Sequence, residues 1–564
     1  MSKLTSPKTS RAASIREETR RIITARGTER EELLANSDNL SAIVPLIPPE
    51  ELLFTLRELG REDAVTVLSH ARAFQLQTIL DLELWNKDRV RPERALYWLQ
   101  FMDDCGDKAV VKWMKTLEPE ELSLLFATNV RASLADEDGG PEKDAGPGEI
   151  SFTFDGVYYF TAPEKIADPV RKMLTLLRLE DHSKYLNVLE AMLTGFDHEK
   201  EEEAFDLRVR RISERGFLPF DEAQAIYAPV PPARLPTMQK RVEGSKVKPI
   251  GEALQLPVPQ TPSGIRLQGL LNRFIGTEDA GPVMSQLTLL THKVVAADSL
   301  DAGEAKSYYL AGRKVAGLLL IALETLAGQD EEKMAALLKS SWLEHLFRVG
   351  WWRVESASKK ARAMVKNGWP DGKMERLLLL DEPMVQVLNG LLRKRPKLFH
   401  PNASEGEFLE FESMEDIAFA ERTVEKADFL GRFILRAIDF SLGDLKKAHL
   451  GIEDDNLKGS TLFLTSLVNA SLGKGFHFGP IQREKVLKGL SKLWVENKPP
   501  RKVRPELEEE AIRWAADLMS ASEAETRFLR EFLDDVIALL EEEYGHLAVK
   551  ELPDPRFLKG IWLT

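Results

Sequence analysis

The sequence predicts a mainly α, multi-domain protein: an N-terminal superhelix of short helices, one small β-hairpin insertion and a larger helical C-terminal part. Three observations lead there. Short apolar segments recur between residues 50 and 126, each long enough for two or three helical turns. Only SFTFDGVYYF (151–160) shows convincing alternation of a strand pair. At 564 residues the chain also exceeds the roughly 250–300 residues at which single cores stop growing.

Residues 1–40 are polar and charge-mixed, with helical periodicity around Ile15, Ile22 and Ile23, and read as a mobile or partly helical tail. Residues 41–131 read as a repeat domain. EELLFTL, EDAVTVL, FQLQTIL, ERALYWL, KAVVKWM and EELSLLF end at Leu56, Leu68, Leu80, Leu99, Met114 and Phe126. Units this short cannot close a core alone, so neighbours must stack. Pro48-Pro49, Pro92 and Pro119, each followed by glutamate, are helix starts: a first turn tolerates a missing N–H, and acids suit the positive end of the helix dipole.

Residues 132–149, rich in Gly, Pro and acids, read as a linker or loop. Residues 150–228 read as a hairpin plus helices, with Asp155-Gly156 expected in a type I′ turn. Eight prolines within 229–262 mark an extended connector. Residues 263–400 and 401–564 read as two helical regions. The second should include amphipathic helices near 506–519 and 522–544, after the break at PPRKVRP (499–505).

Composition limits what such a chain can do. Hydrophobic residues make up 43% and charged residues 30%, ordinary for a folded protein and too apolar for wholesale disorder. The net charge of −13, from 90 acidic and 77 basic residues, argues against coating nucleic acid with the whole surface. Cys105, the single cysteine, excludes an internal disulfide. The N-terminus lacks the apolar core of a secretory signal. The apolar run VAGLLLIAL (315–323) would rise about 14 Å as a helix, roughly half a bilayer core, so it reads as a buried helix. A cytoplasmic location without membrane insertion is expected.

The stretches PPEELLFTLRELGREDAVTVL and EPEELSLLF resemble the intracellular N-domain of MgtE-type magnesium transporters, a superhelix of short helices. No CBS-like pair or membrane domain follows, so the resemblance does not imply transport. Over its whole length the chain resembles a family of bacterial cytoplasmic proteins known as a domain of unknown function. LDLELWNKDRVRPERALYWL (80–99), FTFDGVYYF (152–160), EEEAFDLRVRRISERGFLPFDEAQAIYAP (201–229) and LLLLDEPMVQVLNGLLRKRPKLF (377–399) carry that resemblance. It implies the architecture and supplies no catalytic residues.

Several motifs invite chemistry. LLLLDEP (377–383) looks like the Walker B segment of ABC-type ATPases, but the chain has no G-x-x-x-x-G-K-[ST] loop to oppose it. Asp381 is expected instead as the N-cap of a helix through MVQVLNGLLRK, stopped before Pro396. FDHEKEEE (196–203) spaces His198 and Glu202 for a divalent metal, yet no second histidine joins them, and first-turn acids follow from the dipole. Downstream, Glu202 with Arg208, Arg211 and neighbouring arginines forms a possible polar cluster. It reads as a salt-bridged helix, with an Asp206–Arg210 pair, closed by Gly216, or as an arginine face receiving an acidic partner or phosphate. Trp342, Trp351 and Trp352, interleaved with Arg353, Lys359, Lys360 and Arg362, are candidate partner contacts. Aromatics beside cations can stack on single-stranded nucleic acid, while tryptophans at helical spacing also anchor cores and interfaces. The glycine-rich GKGFHFGP (473–480) lacks the context of a phosphate cradle.

No residue type or spacing identifies a catalytic, cofactor-binding or metal-binding group. The expected role is a non-enzymatic protein-interaction or regulatory scaffold whose partner is another protein. A nucleic-acid-associated factor using the Trp/Lys/Arg region is the second reading. An enzyme whose site forms only in the fold is the third.

Overall fold

A computed structural model describes residues 7–25, 27–86, 88–135, 145–195, 198–238, 258–400, 408–438, 457–496, 498–546 and 560–563. Much of the proline-rich connector and Asp197 of the acidic cluster fall outside the described residues. The chain is mainly helical, with a few small sheets, and divides into two compact units, Met1–Val349 and Gly350–Thr564.

In the first unit the segment read as a tail is packed from its first helix onward. Helices Pro7–Thr24 and Thr28–Ala35 bury Ile22, Ile23 and, unexpectedly, Arg30. Arg30 donates to the carbonyls of Ala25 and Ile23, to Thr55 Oγ1 and to the Glu51 carboxylate at 2.9–3.2 Å. A polar sequence here hides an internal tie.

All six recurring segments lie on helices: Pro49–Glu58, Arg61–Ser69, Ala73–Glu83, Pro92–Asp104, Asp107–Thr116 and Pro119–Ala127. Three begin with the prolines that mark them, as a missing first-turn N–H allows. Lys184 reaches back from the helix His182–Thr194 to the carbonyls of Met114, Lys115 and Leu117. Its ammonium thereby completes the C-terminus of the helix Asp107–Thr116, where cations are favoured.

The expected hairpin is one pair of a three-stranded antiparallel sheet. Tyr158–Pro163 lies between Arg131–Leu134 and Glu149–Thr153, so part of the expected linker is a strand. The connection is longer than a two-residue turn, because Thr153 pairs with Tyr159. Of its Asp-Gly pair only Gly156 has positive φ. Asp155 instead accepts the N–H groups of Val157 and Tyr158 at 2.9 and 3.0 Å, an Asx turn that makes type I′ geometry unnecessary.

The apolar run 315–323 lies in the helix Ala305–Ala327 and is buried throughout. Beside it, Lys314 is tied to Asp298, which also accepts the Tyr227 hydroxyl at 2.6 Å. Among the described residues no helix is long and apolar enough to cross a membrane.

In the second unit the helix Met414–Ala437 receives the Trp369 indole flat on Gly431, where a Cβ would stand 2.0 Å from the ring. Asp381 differs from expectation. The helix Met384–Leu391 does start after Pro383, but its Asp381 side chain accepts from Ser460 N at 2.8 Å and from the Ser460 hydroxyl. It therefore sits at the N-terminus of Gly459–Ser471, a helix 79 residues away. Helices Pro505–Met519 and Glu523–Tyr544 lie where the sequence put them. The second opens with a capping box between Ser522 and Glu525. Residues 560–563 return to this unit: Ile481 N donates to the Trp562 carbonyl, and Trp562 N to Thr465 Oγ1, both at 2.9 Å.

Candidate functional site

The helix His198–Ser213 begins with Glu199 and Glu201 in its first turn and ends in a Schellman motif. Gly216 N donates to Ser213 O at 2.9 Å and Phe217 N to Ile212 O at 3.2 Å, with Gly216 at φ +90°. This is the closure the sequence anticipated. A Cβ on Gly216 would lie 2.8 Å from the Leu289 carbonyl oxygen, so both backbone and space require glycine.

One face of this helix meets the short helices along a polar seam. Glu201 accepts Val90 N at 2.9 Å and pairs with Arg89 at 2.6 Å. Phe205 packs on Trp85 with centroids 5.6 Å apart. Arg208 donates through Nε to the Asp81 carbonyl at 2.7 Å. Arg211 grips the Asp81 carboxylate with two bonds, 3.0 and 2.7 Å, and lies 3.9 Å from Glu121. Beyond the helix end, Arg215 holds both oxygens of buried Glu50 at 2.7 Å. Positions 201, 205, 208, 211 and 215 follow the three-to-four-residue step of one helical face.

The buried carboxyls of the seam differ in how far their arginines offset burial. Burial pushes the Glu121 carboxyl well above the usual carboxylate range, and the neighbouring Asp81 charge adds to this against Arg211 and the Gln77 amide. Burial also raises Asp81, against the pull of Arg211. Burial would raise Glu50 too, but Arg215, aided by His292, outweighs it and holds the group below its ordinary value. Burial pushes His292 below its ordinary value, against the Glu50 charge and the Arg215 carbonyl. Its ring stacks on Phe217 at 4.3 Å, and its Nδ1 meets the Arg215 carbonyl. The fully buried Nε2 has no partner.

Of the polar cluster named from sequence, Arg208 and Arg211 converge on Asp81, whereas Glu202 is exposed and takes no part. The expected Asp206–Arg210 pair does not form; the helix uses its arginines across the fold. His198 is largely exposed beside Arg89 and Glu201. Among the described residues no group of three or more His, Cys, Asp or Glu side chains could hold a metal ion. Burial lifts the Cys105 thiol to about 12, far from the thiolate that reactivity needs.

The tryptophan-basic region is arranged differently. Trp342 lies immediately before the helix Leu343–Asn367, and Trp351 within it is buried, while Trp342 and Trp352 are half-buried. Arg353 lies over Trp352 at 5.9 Å. It shares Glu421 with Lys360, at 3.8 and 3.2 Å. Lys359 and Arg362 share Glu355, at 4.0 and 3.3 Å.

Sequence reasoning missed Glu50, Glu51, Asp81, Glu121 and His292. Glu50 and Glu51 follow a helix-start proline, where the dipole alone accounts for an acid. The available signal was that the Pro-Glu-Glu start recurs at 49–51 and 119–121 within apolar context, placing an acid on the inward face of each helix.

The architecture, read over nearly the full length, can be set against known families. The chain belongs to DUF6178, a family of unknown function. The match spans residues 7–564, so both units are part of the family's common body. No curated protein and no solved structure matches the chain.

Proposed function

We propose that this member of the family is a protein-interaction or regulatory scaffold and not a catalyst. The observation that supports this is the use of its charged side chains as ties between distant helices: Glu50–Arg215, Asp81–Arg211, Glu51–Arg30 and Glu83–Arg57. Pairs of this kind specify one helix arrangement, the property a binding surface needs. The proposed contacts are the half-buried Trp342 and Trp352, large rings of the type that anchor interfaces. The location proposed is the cytoplasm.

Affinity capture with the intact chain, in parallel with Trp352→Ala and Trp342→Ala, tests the reading. A stoichiometric protein retained by the intact chain and lost from either variant supports it. Recovery of the chain alone counts against it. The nucleic-acid reading places single strands on Lys359, Lys360 and Arg362, which would have to exchange Glu355 and Glu421 for phosphates. Salt-sensitive binding abolished by changing all three to glutamate would favour it.

A further inference from the structure

We propose that Arg91, at the root of the Trp85–Val90 hairpin, and Arg208, which faces the Trp85 and Phe205 rings, form a binding site for a phosphate group. This inference is independent of the scaffold reading. Trp85 pairs with Val90 in a short hairpin. Arg91 follows directly, its N–H donating to the Leu84 carbonyl at 2.7 Å. Arg208 approaches from the helix His198–Ser213, its guanidinium 5.6 Å from the Trp85 centroid and 5.8 Å from that of Phe205. The two arginines are therefore brought to the root of one hairpin by different elements.

Among the described residues neither makes an ion pair of its own, and the one carboxylate whose charge reaches Arg208, Asp81, is already gripped by Arg211. Arg208 uses Nε on the Asp81 backbone carbonyl and leaves both terminal nitrogens without a protein acceptor among the described residues. Arg91 has a fully buried Nε that meets no acceptor and, among the described residues, no carboxylate within ion-pair distance. The surrounding acids are engaged elsewhere. Arg211 holds Asp81, Arg57 and Arg94 hold Glu83, and Arg89 with Val90 N–H holds Glu201. Glu121 accepts from Gln77, and burial and the Asp81 charge push its carboxyl well above the usual carboxylate range. Burial brings Arg208 down to about 10 against the Asp81 charge, with the Arg211 and Arg91 charges adding to the fall. Guanidinium groups in a partly dry setting normally have a charged partner.

A phosphate group supplies what is missing. Its double negative charge suits two cations that have no ion pair of their own among the described residues, and its several oxygens can accept from two guanidinium forks at once, which one carboxylate cannot. The Trp85 and Phe205 rings at cation–π distance and the Nε bond to the Asp81 carbonyl hold Arg208 in place, so less side-chain freedom is lost on binding.

Calorimetric titration of the full-length chain tests this with inorganic phosphate, glycerol phosphate and acetate at constant ionic strength. Saturable binding of a phosphate species and none of acetate is expected. A tighter ester assigns a phosphorylated molecule, and a tighter inorganic ion assigns free phosphate. Arg91→Gln and Arg208→Lys should each weaken binding about tenfold or more with the circular dichroism unchanged, since the lysine keeps the charge and loses the fork. Arg61→Gln, at the exposed pair with Asp104, should leave it unchanged. The proposal is overturned if the intact chain binds neither phosphate species saturably, or if both site variants bind as tightly as the intact chain.

Discussion

The helix His198–Ser213 and the helix Leu343–Asn367 both present arginines or lysines at helical spacing, and their surroundings make them different objects. Arg211 and Arg215 pair with acids 130 and 165 residues away, and those acids are buried. Lys359 and Arg362 pair with Glu355 on their own helix, and their side chains are 63% and 40% exposed. The same residue type is thus a structural tie where its acid is fully buried and a solvated pair where the cation itself stands in water. Breaking a buried pair leaves a stranded charge, whereas breaking an exposed one leaves two hydrated groups.

The strongest way to sharpen this contrast is Glu50→Ala, which strands Arg215. It should cost about 3–5 kcal/mol, read as a lower urea midpoint. Glu50→Leu combined with Arg215→Met should recover most of the loss. If the double variant is as unstable as the single, the damage lies in packing and not in stranded charge. Next comes Gly216→Ala, which forces a side chain to φ +90° against the Leu289 carbonyl. A loss of roughly 1–3 kcal/mol is expected, without a change in helix content.

Glu121→Gln should act in the opposite direction. A carboxyl held above its ordinary value near 4.5 binds its proton more tightly in the folded chain than in the unfolded one. Its stabilisation is complete below that ordinary value and is lost as pH rises through the folded value. The neutral amide removes this dependence while remaining beside Gln77, Asp81, Arg211 and Glu118. The variant should therefore match the parent in acid and exceed it in melting temperature at alkaline pH. A melting curve that falls in parallel with the parent as pH rises would contradict the assignment. The smallest effect belongs to Lys360→Ala, which opens a half-exposed contact to Glu421. Its cost should stay below about 1 kcal/mol and shrink further with salt.

Local chemistry made much of the fold legible. Proline and glutamate marked the starts of Pro49–Glu58, Pro92–Asp104 and Pro119–Ala127. Ser522 and Glu525 belong to a start that can be read within one turn, and Gly216 closes its helix as a glycine in that position should. Asp381 shows where such reading fails: local context suggested a cap for the next helix, while the fold carried its carboxylate to Ser460. The seam was hidden for the same reason. Arg208 and Arg211 were visible as a helical face, but Asp81 sits in an apolar run with nothing nearby to announce a partner 130 residues on. Periodicity reports which side of an element faces inward, and it is silent on which distant element will be met there.

The distance between Glu50 and Arg215 also bears on the order in which the protein can be finished as it is made. At roughly 5–20 residues per second, the 165 residues separating them take about 10–30 s to follow. Within that interval all six short helices are made, with Glu50, Asp81 and Glu121 in place before Arg211 and Arg215. Burying those acids before the cations arrive would be costly. The early segment should therefore stay hydrated at that face until the helix His198–Ser213 emerges and docks.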